Sequence, residues 1–396
     1  MSEGNVYIRT SERLLFRKCR RLWGWMSPYK MNLEVTHRPD YFWFGTGMHW
    51  ALEDYHGYNL YGSPAKAFWA YHLACKEART LPPTADELII SGLGMMEYYS
   101  DIWLGMGNRD PLQTFWHEGR PMCELRFEIP LPIEDPQGRQ VVYRGTLDGV
   151  AIDEHGRLWV KEYKSAKAFR LYHYDTDDQI TAYCWALQSI FPEYEVAGVC
   201  YQQHKKTFPK PPKILKSSGK VSTAANQGTT YALYQKVLKD VYGSWDMFPA
   251  ENKAYLNKLA TEETEDYDNY IRRDWIYRNP HQLAAQGEKI LLEAEDILNP
   301  NLALYPNPGK DCAFMCPLEA ACVAMDDGSD WESLLTSLAT ERQPDSQEEQ
   351  DKWRNHLPQP SDLPPMPLEL VQLDLQDPSL LEEDSKVMLL ELLDLQ

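Results

Sequence analysis

Apolar and polar positions alternate with a period near two through residues 123–163 and follow helical spacing on either side. Residues 144–165 read as two apolar-rich strands around a polar turn, Asp153-Glu154-His155-Gly156, which is the pattern of a β-hairpin. Residues 196–203 read as a further strand, and 177–187 as a helix that Asp177 or Asp178 is placed to cap. The first 120 residues read as mainly helical, as does a long stretch at about 228–298 that includes 262–268 and 270–275. Helices and strands are therefore expected in one chain. From residue 341 the pattern is lost: seven prolines and 14 acidic against four basic residues predict a disordered acidic tail. The expected organisation is therefore a folded domain over 1–340 and a tail over 341–396, and no internal repeat is seen.

Chemistry concentrates on the hairpin. Asp148 lies on its first strand, and Glu162 and Lys164 lie on its second. Alternate strand residues share a face, so Glu162 and Lys164 point together while Tyr163 points away. Two carboxylates and a lysine suit metal-assisted phosphodiester hydrolysis, because Mg²⁺ takes carboxylate oxygens and leaves room for water and phosphate. The lysine can position or deprotonate the water and offset anionic charge. Three such residues alone could equally be a surface ion pair on a hairpin. Two further pairs change the reading. Gln179 and Tyr183 are spaced i, i+4 on one helix face and can hydrogen-bond phosphate or base. His49 and Glu53 share the same spacing, with His49 a candidate metal ligand and Glu53 placed to orient it or touch the metal shell.

Taken in order, His49, Asp148, Glu162-x-Lys164 and Gln179-x-x-x-Tyr183 resemble the RecB-type nucleases of the PD-(D/E)xK superfamily, over roughly residues 10 to 325. The resemblance implies an α/β fold with a restriction-endonuclease-like core. Its central mixed sheet would carry Asp148, Glu162 and Lys164, and its flanking helices would carry His49, Gln179 and Tyr183, with helical insertions. It implies Mg²⁺ or Mn²⁺ held by His49, Asp148, Glu162 and the carbonyl of Tyr163, with Lys164 assisting the water and the Gln179/Tyr183 helix contacting DNA. The implied activity is that of a metal-dependent DNA exonuclease in phage or bacterial recombination and DNA processing, acting on single strands or duplex ends. A nuclease of CRISPR-adaptation type is the neighbouring alternative. No GxxxxGK[ST] motif points to a helicase in the same chain. A non-catalytic DNA-binding or assembly subunit on a nuclease fold is the rival from another class, and the intact Asp148/Glu162/Lys164 set counts against it.

Eight cysteines are present. Neither a signal peptide nor a membrane-spanning apolar run is seen, which predicts a reducing, cytoplasmic setting without disulfides. Cys312, Cys316 and Cys322 are spaced C-x3-C-x5-C, and Cys19 is the natural fourth ligand of a Cys₄ site. One early and three late cysteines resemble the iron–sulfur subgroup of these nucleases, which includes AddB-type and CRISPR-adaptation enzymes. There a [4Fe–4S] cluster staples the two ends of the domain. Zn²⁺ is the alternative guest. Cys75, Cys123, Cys184 and Cys200 read as small buried residues.

Charge adds one constraint. The chain carries −19 in all, of which −10 lies in 341–396. An overall acidic protein binds DNA through local basic patches. Arg17, Lys18, Arg20 and Arg21 form one candidate patch. Lys205 and Lys206, with Lys210, Lys213, Lys216 and Lys220 behind them, form another, with Tyr172, Tyr174 and Phe208 near enough to stack on bases. The leucine-rich end of the tail, 380–393, reads either as a solubilising segment or as an amphipathic helix that docks a protein partner.

Overall fold

The computed structural model describes residues 4–36, 40–105, 110–169, 174–342 and 351–367. A mixed seven-stranded sheet forms its centre. The strands used below are β1 (Val6–Arg9), β2 (Cys123–Glu134), β3 (Gln140–Ile152), β4 (Leu158–Ala166), β5 (Val196–Lys205) and β6 (Ile271–Tyr277). The order is β1-β3-β4-β5-β6, with β2 paired to β3, and a two-residue strand, Gln113–Thr114, completes the seven. β1 runs parallel to β3 and β4 parallel to β5, while β2/β3, β3/β4 and β5/β6 are antiparallel.

The register creates the feature that matters most. Residues 141–144 of β3 pair with β1, and residues 149–152 pair with β4. At both places the other edge of β3 is occupied, by β2 or by Gln113–Thr114. β1 and β4 therefore share one edge of β3 and part company between Arg144 and Gly149. The sheet forks there, and Asp148 and Glu162 stand at the fork.

Helices cover both faces. The helices α1 (Thr10–Lys18), α2 (Arg20–Met26), α6 (Asp178–Ile190) and α9 (Pro280–Leu298) flank the sheet, and the sheet core joins Ile8, Val160, Leu187, Val199 and Ile290 in one apolar cluster. A second cluster lies in a helical layer made by α3 (Tyr41–His56), α4 (Pro64–Glu77) and α5 (Ala85–Glu97). A smaller helical pair, α7 (Tyr231–Tyr242) and α8 (Ala250–Glu262), packs around Tyr234, Leu238 and Leu256 as an insertion before β6. No helix among the described residues is long and apolar enough to cross a membrane.

Two expectations change. The supposed helical run at 228–298 contains β6, whose Ile271 and Arg273 face inward on alternate positions against β5. Period-two burial was hidden there by charged neighbours and by helices on either side. Part of the stretch expected to be disordered is also folded. Residues 351–367 pack on the helical layer: Trp353 is 2 % exposed and Met366 6 % exposed, both within that layer's core. The Tyr61 hydroxyl donates to the Pro358 carbonyl (2.8 Å) and Trp69 Nε1 to the Pro364 carbonyl (3.1 Å). Two aromatic anchors outweigh an acidic, proline-rich composition. The leucine-rich end at 380–393 lies outside the described residues.

Candidate active site

Asp148 is on β3 and Glu162 on β4, opposite one another by the register Gly149↔Lys161. Where the strands part, the Tyr163 N–H turns to a side chain and donates to Asp148 Oδ2 (2.9 Å). The carboxylate thereby takes the place of a ladder carbonyl and fixes its own position. Side chains alternate along β4 as expected: Lys161 is buried in an ion pair with Asp110 on one face (2.7 Å), and Glu162 and Lys164 meet on the other (2.5 Å).

His49 comes from α3. Its Nε2 lies 3.1 Å from the Tyr163 carbonyl, while its Nδ1 lies 3.3 Å from Asp148 Oδ1 and 3.7 Å from Glu124 Oε1. With Nε2–H donating to the carbonyl, Nδ1 points at two carboxylates and needs a proton or a cation between them. Among the described residues, His49, Glu124 and Asp148 are the group whose ligand atoms all approach within 4.8 Å. Glu124, at the start of β2, was not foreseen. It adopts a left-handed backbone (φ +46°) that breaks the strand alternation by which the other residues were read. Of the expected metal ligands, His49, Asp148 and Tyr163 are brought together. Glu162 is instead tied to Lys164 beside them, and its Oε2 is buried without a partner.

The electrostatics follow from packing carboxylates together. Burial, then the charge of Asp148, pushes Glu162 up to about 7 despite Lys164. Burial would raise Asp148 too, but His49, Lys164 and the Tyr163 N–H hold it below the usual carboxylate range. Burial pulls His49 down, yet Asp148 and Glu124 outweigh it and hold the imidazole well above its ordinary value. Glu53, one turn along α3, is pushed up to about 7 by burial and then by Glu124. An excess of buried negative charge gathered at one point is a site built for a cation.

Gln179 and Tyr183 arrive on α6, which Asp177 caps by accepting from the Ile180 N–H (2.9 Å). Gln179 Nε2 reaches Tyr183 Oη at 3.0 Å and Glu162 Oε1 at 3.4 Å, so this pair borders the fork as the spacing predicted. A cleft of about 500 Å³ opens over the site, lined among others by Phe42, His49, Glu124, Arg126, Lys164 and Lys206.

The basic residues divide. Lys206 lines the cleft with its ammonium over the Phe44 ring (4.7 Å), but Lys205 turns to Tyr270 (5.8 Å). Arg17 pairs with Asp178 (2.7 Å) and Glu293 (3.5 Å), within the ion network that fixes α1 against α6 and α9. Arg20 lies over Phe16 and Tyr305, and Arg21 pairs with Asp326 (2.8 Å). Arg17 and Arg21 are therefore engaged by carboxylates of the fold, whereas Arg20 is held by ring stacking alone. Phe208 is half-buried against the helical layer and Tyr174 donates to Asp274 (3.0 Å), so neither is presented as a stacking platform, and Tyr172 lies outside the described residues.

Far along the chain, Cys19, Cys312, Cys316 and Cys322 line one pocket of about 310 Å³. Arg21 Nη1 donates to the sulfur of Cys322 (3.2 Å) and the Gly309 N–H to that of Cys312 (3.4 Å). No three of the four sulfurs come within 4.8 Å of one another, so they do not form a compact mononuclear site. The remaining cysteines are buried or, for Cys123, half-buried.

A forked mixed sheet that mounts opposed carboxylates, a lysine and a histidine under an open cleft defines a metal-dependent nuclease. The sequence model of the PD-(D/E)XK nuclease superfamily matches residues 11–323, and the chain belongs to that superfamily. No curated protein matches the chain.

Proposed function

We propose that the protein is a RecB-type, metal-dependent DNA exonuclease. The observation that carries this reading is the fork, where Asp148 is held by the Tyr163 N–H and faces Glu162, Lys164 and His49. His49, Asp148 and Glu124, with the Tyr163 carbonyl and Glu162 at hand, would hold Mg²⁺ or Mn²⁺; the carboxylate and carbonyl oxygens fit such an ion, and His49 adds one nitrogen. When bound, the ion supplies a Lewis acid for the phosphate and acidifies a water. Lys164, which lines the cleft, would position that water and neutralise charge on the phosphate oxygens, with Glu162 holding its ammonium in place. Gln179 and Tyr183 steady Glu162 and border the path of the strand.

The four thiols form a second part of the reading. All four line one pocket, and Arg21 and the Gly309 N–H donate to two of the sulfurs. On this reading a [4Fe–4S] cluster would tie Cys19 to Cys312, Cys316 and Cys322 as a structural staple, with Zn²⁺ as the alternative guest. Phage or bacterial recombination is the setting that the RecB likeness favours, with a CRISPR-adaptation role as the alternative. The protein would work in the cytoplasm, and the leucine-rich sequence at 380–393 is read as a docking segment for a protein partner. Linear and covalently closed circular DNA, incubated with Mg²⁺ or Mn²⁺, test the exonuclease reading. Linear DNA should be degraded and circles spared; equal nicking of circles would make the enzyme an endonuclease.

A further inference from the structure

Residues 351–367 lie beyond the superfamily match at 11–323, yet Asp351 and Arg354 line the same cleft as His49, Glu124 and Lys164. The segment is well anchored. Trp353 is buried edge-to-face on Trp50 (5.5 Å) and Tyr71 (4.7 Å), and the carbonyls of Pro358 and Pro364 accept from Tyr61 and Trp69. Arg354 stands on that anchor. Its guanidinium lies over the rings of Trp353 (4.7 Å) and Trp50 (5.5 Å), and its ion pair with Asp351 is long, at 4.0 Å.

Three facts give Arg354 a use. It lines the cleft together with Arg126 and the carboxylates Glu53 and Glu124. A cleft floor of carboxylates repels a polyanion, so substrate must be held by cations on the walls. A guanidinium stacked on two indoles is restrained in orientation while its N–H edge stays available, and that edge matches two phosphate oxygens. A carboxylate partner at contact distance would have consumed it.

Building on the nuclease reading, we propose that the 351–367 segment is a wall of the catalytic cleft and that Arg354 grips a DNA phosphate flanking the scissile one. Arg126 on β2 is placed to serve the same strand from the sheet side. The active site is thus completed by a strap from outside the superfamily core.

The experiment uses the full chain. Cleavage kinetics are measured on wild type, Arg354→Ala and Arg354→Lys. Oligonucleotide binding across a salt series is measured for the same changes in a Glu162→Ala background, and the melting temperature of every variant is recorded. Arg354→Ala should raise KM roughly tenfold with kcat within about twofold, and lower the slope of log affinity against log salt by about one. Arg354→Lys should keep the slope and recover part of KM. Unchanged KM and slope in Arg354→Ala would overturn the proposal. So would equal losses in Ala and Lys that track a fall in melting temperature, since those mark a structural clasp. Wild type that neither binds nor cuts DNA would remove the nuclease reading itself, and this inference with it.

Discussion

The fork and the thiol pocket are assembled in opposite ways. At the fork, each group is held by the protein: Asp148 by the Tyr163 N–H, His49 by the Tyr163 carbonyl, Glu162 by Lys164 and Gln179. Three ligand atoms already lie within 4.8 Å. The pocket draws on Cys19 at one end of the domain and Cys312, Cys316 and Cys322 at the other, and its sulfurs remain apart. The first site is preorganised for a cation; at the second, Leu22 and Trp25 already pack on Leu318 and Ala321, and the proposed guest would add to that join. Damage at the fork should therefore cost activity and spare the fold, and damage at the pocket should do the reverse.

The largest expected effect is at the fork. Asp148→Ala should lower cleavage roughly 10³-fold or more, the size expected when about 4 kcal/mol of transition-state stabilisation is lost. Its melting temperature should stay near that of wild type, because removing its charge relieves the repulsion on Glu162 and offsets the lost contacts to His49 and the Tyr163 N–H. Thermal melts beside the activity assay check both halves, and a collapsed Asp148→Ala would erase the contrast. Next comes the pocket. Cys316→Ser should lose protein-bound iron, its visible absorbance and solubility together, as read by metal analysis, spectra and soluble yield. A stable, fully active Cys316→Ser would mean that the thiols staple nothing. Glu124→Ala sharpens the comparison within the fork itself. As a member of the close ligand group it should weaken Mn²⁺ affinity by about 10–100-fold, measured by calorimetry, whereas a role outside the metal shell would leave affinity intact.

The smallest effect is one of acid. His56, His72 and His204 are buried, and burial depresses them to about 3, 4 and 3, with Lys161, Lys76 and Arg273 adding to the depression. Their folded pKa values lie below the unfolded 6.5, so the unfolded chain binds more protons at lower pH. Their contribution to stability is complete above 6.5 and falls progressively as the pH drops toward about 3. His56 stacks on Tyr163 (6.0 Å), and none of the three lines the thiol pocket, so acid loosens the fork side first. The melting temperature should drop between these limits, and a flat profile would show that the histidines are not held neutral.

What the sequence made legible was whatever obeyed a short period. Asp148, Glu162 and Lys164 stood out because a hairpin fixes faces two residues apart. His49, Gln179 and Tyr183 stood out because helices fix faces four apart. Glu124 escaped because a left-handed residue sits outside both periods. β6 escaped because its inward Ile271 and Arg273 look alike neither in polarity nor in size. Arg354 escaped because composition described the tail, whereas two buried aromatic contacts of Trp353 decided where it packs. Arg17 was misjudged because its carboxylate partners, Asp178 and Glu293, lie far away in sequence. Local pattern locates chemistry; contacts between distant segments decide which charges remain for a substrate.

The central claim is tested most directly by incubating end-labelled single- and double-stranded DNA with wild type and Glu162→Ala, purified anaerobically, in Mg²⁺, Mn²⁺ or EDTA. The account predicts digestion by wild type with either metal, none in EDTA, and none by a folded Glu162→Ala. Digestion that survives EDTA or the substitution, or a folded wild type that digests nothing, would contradict it.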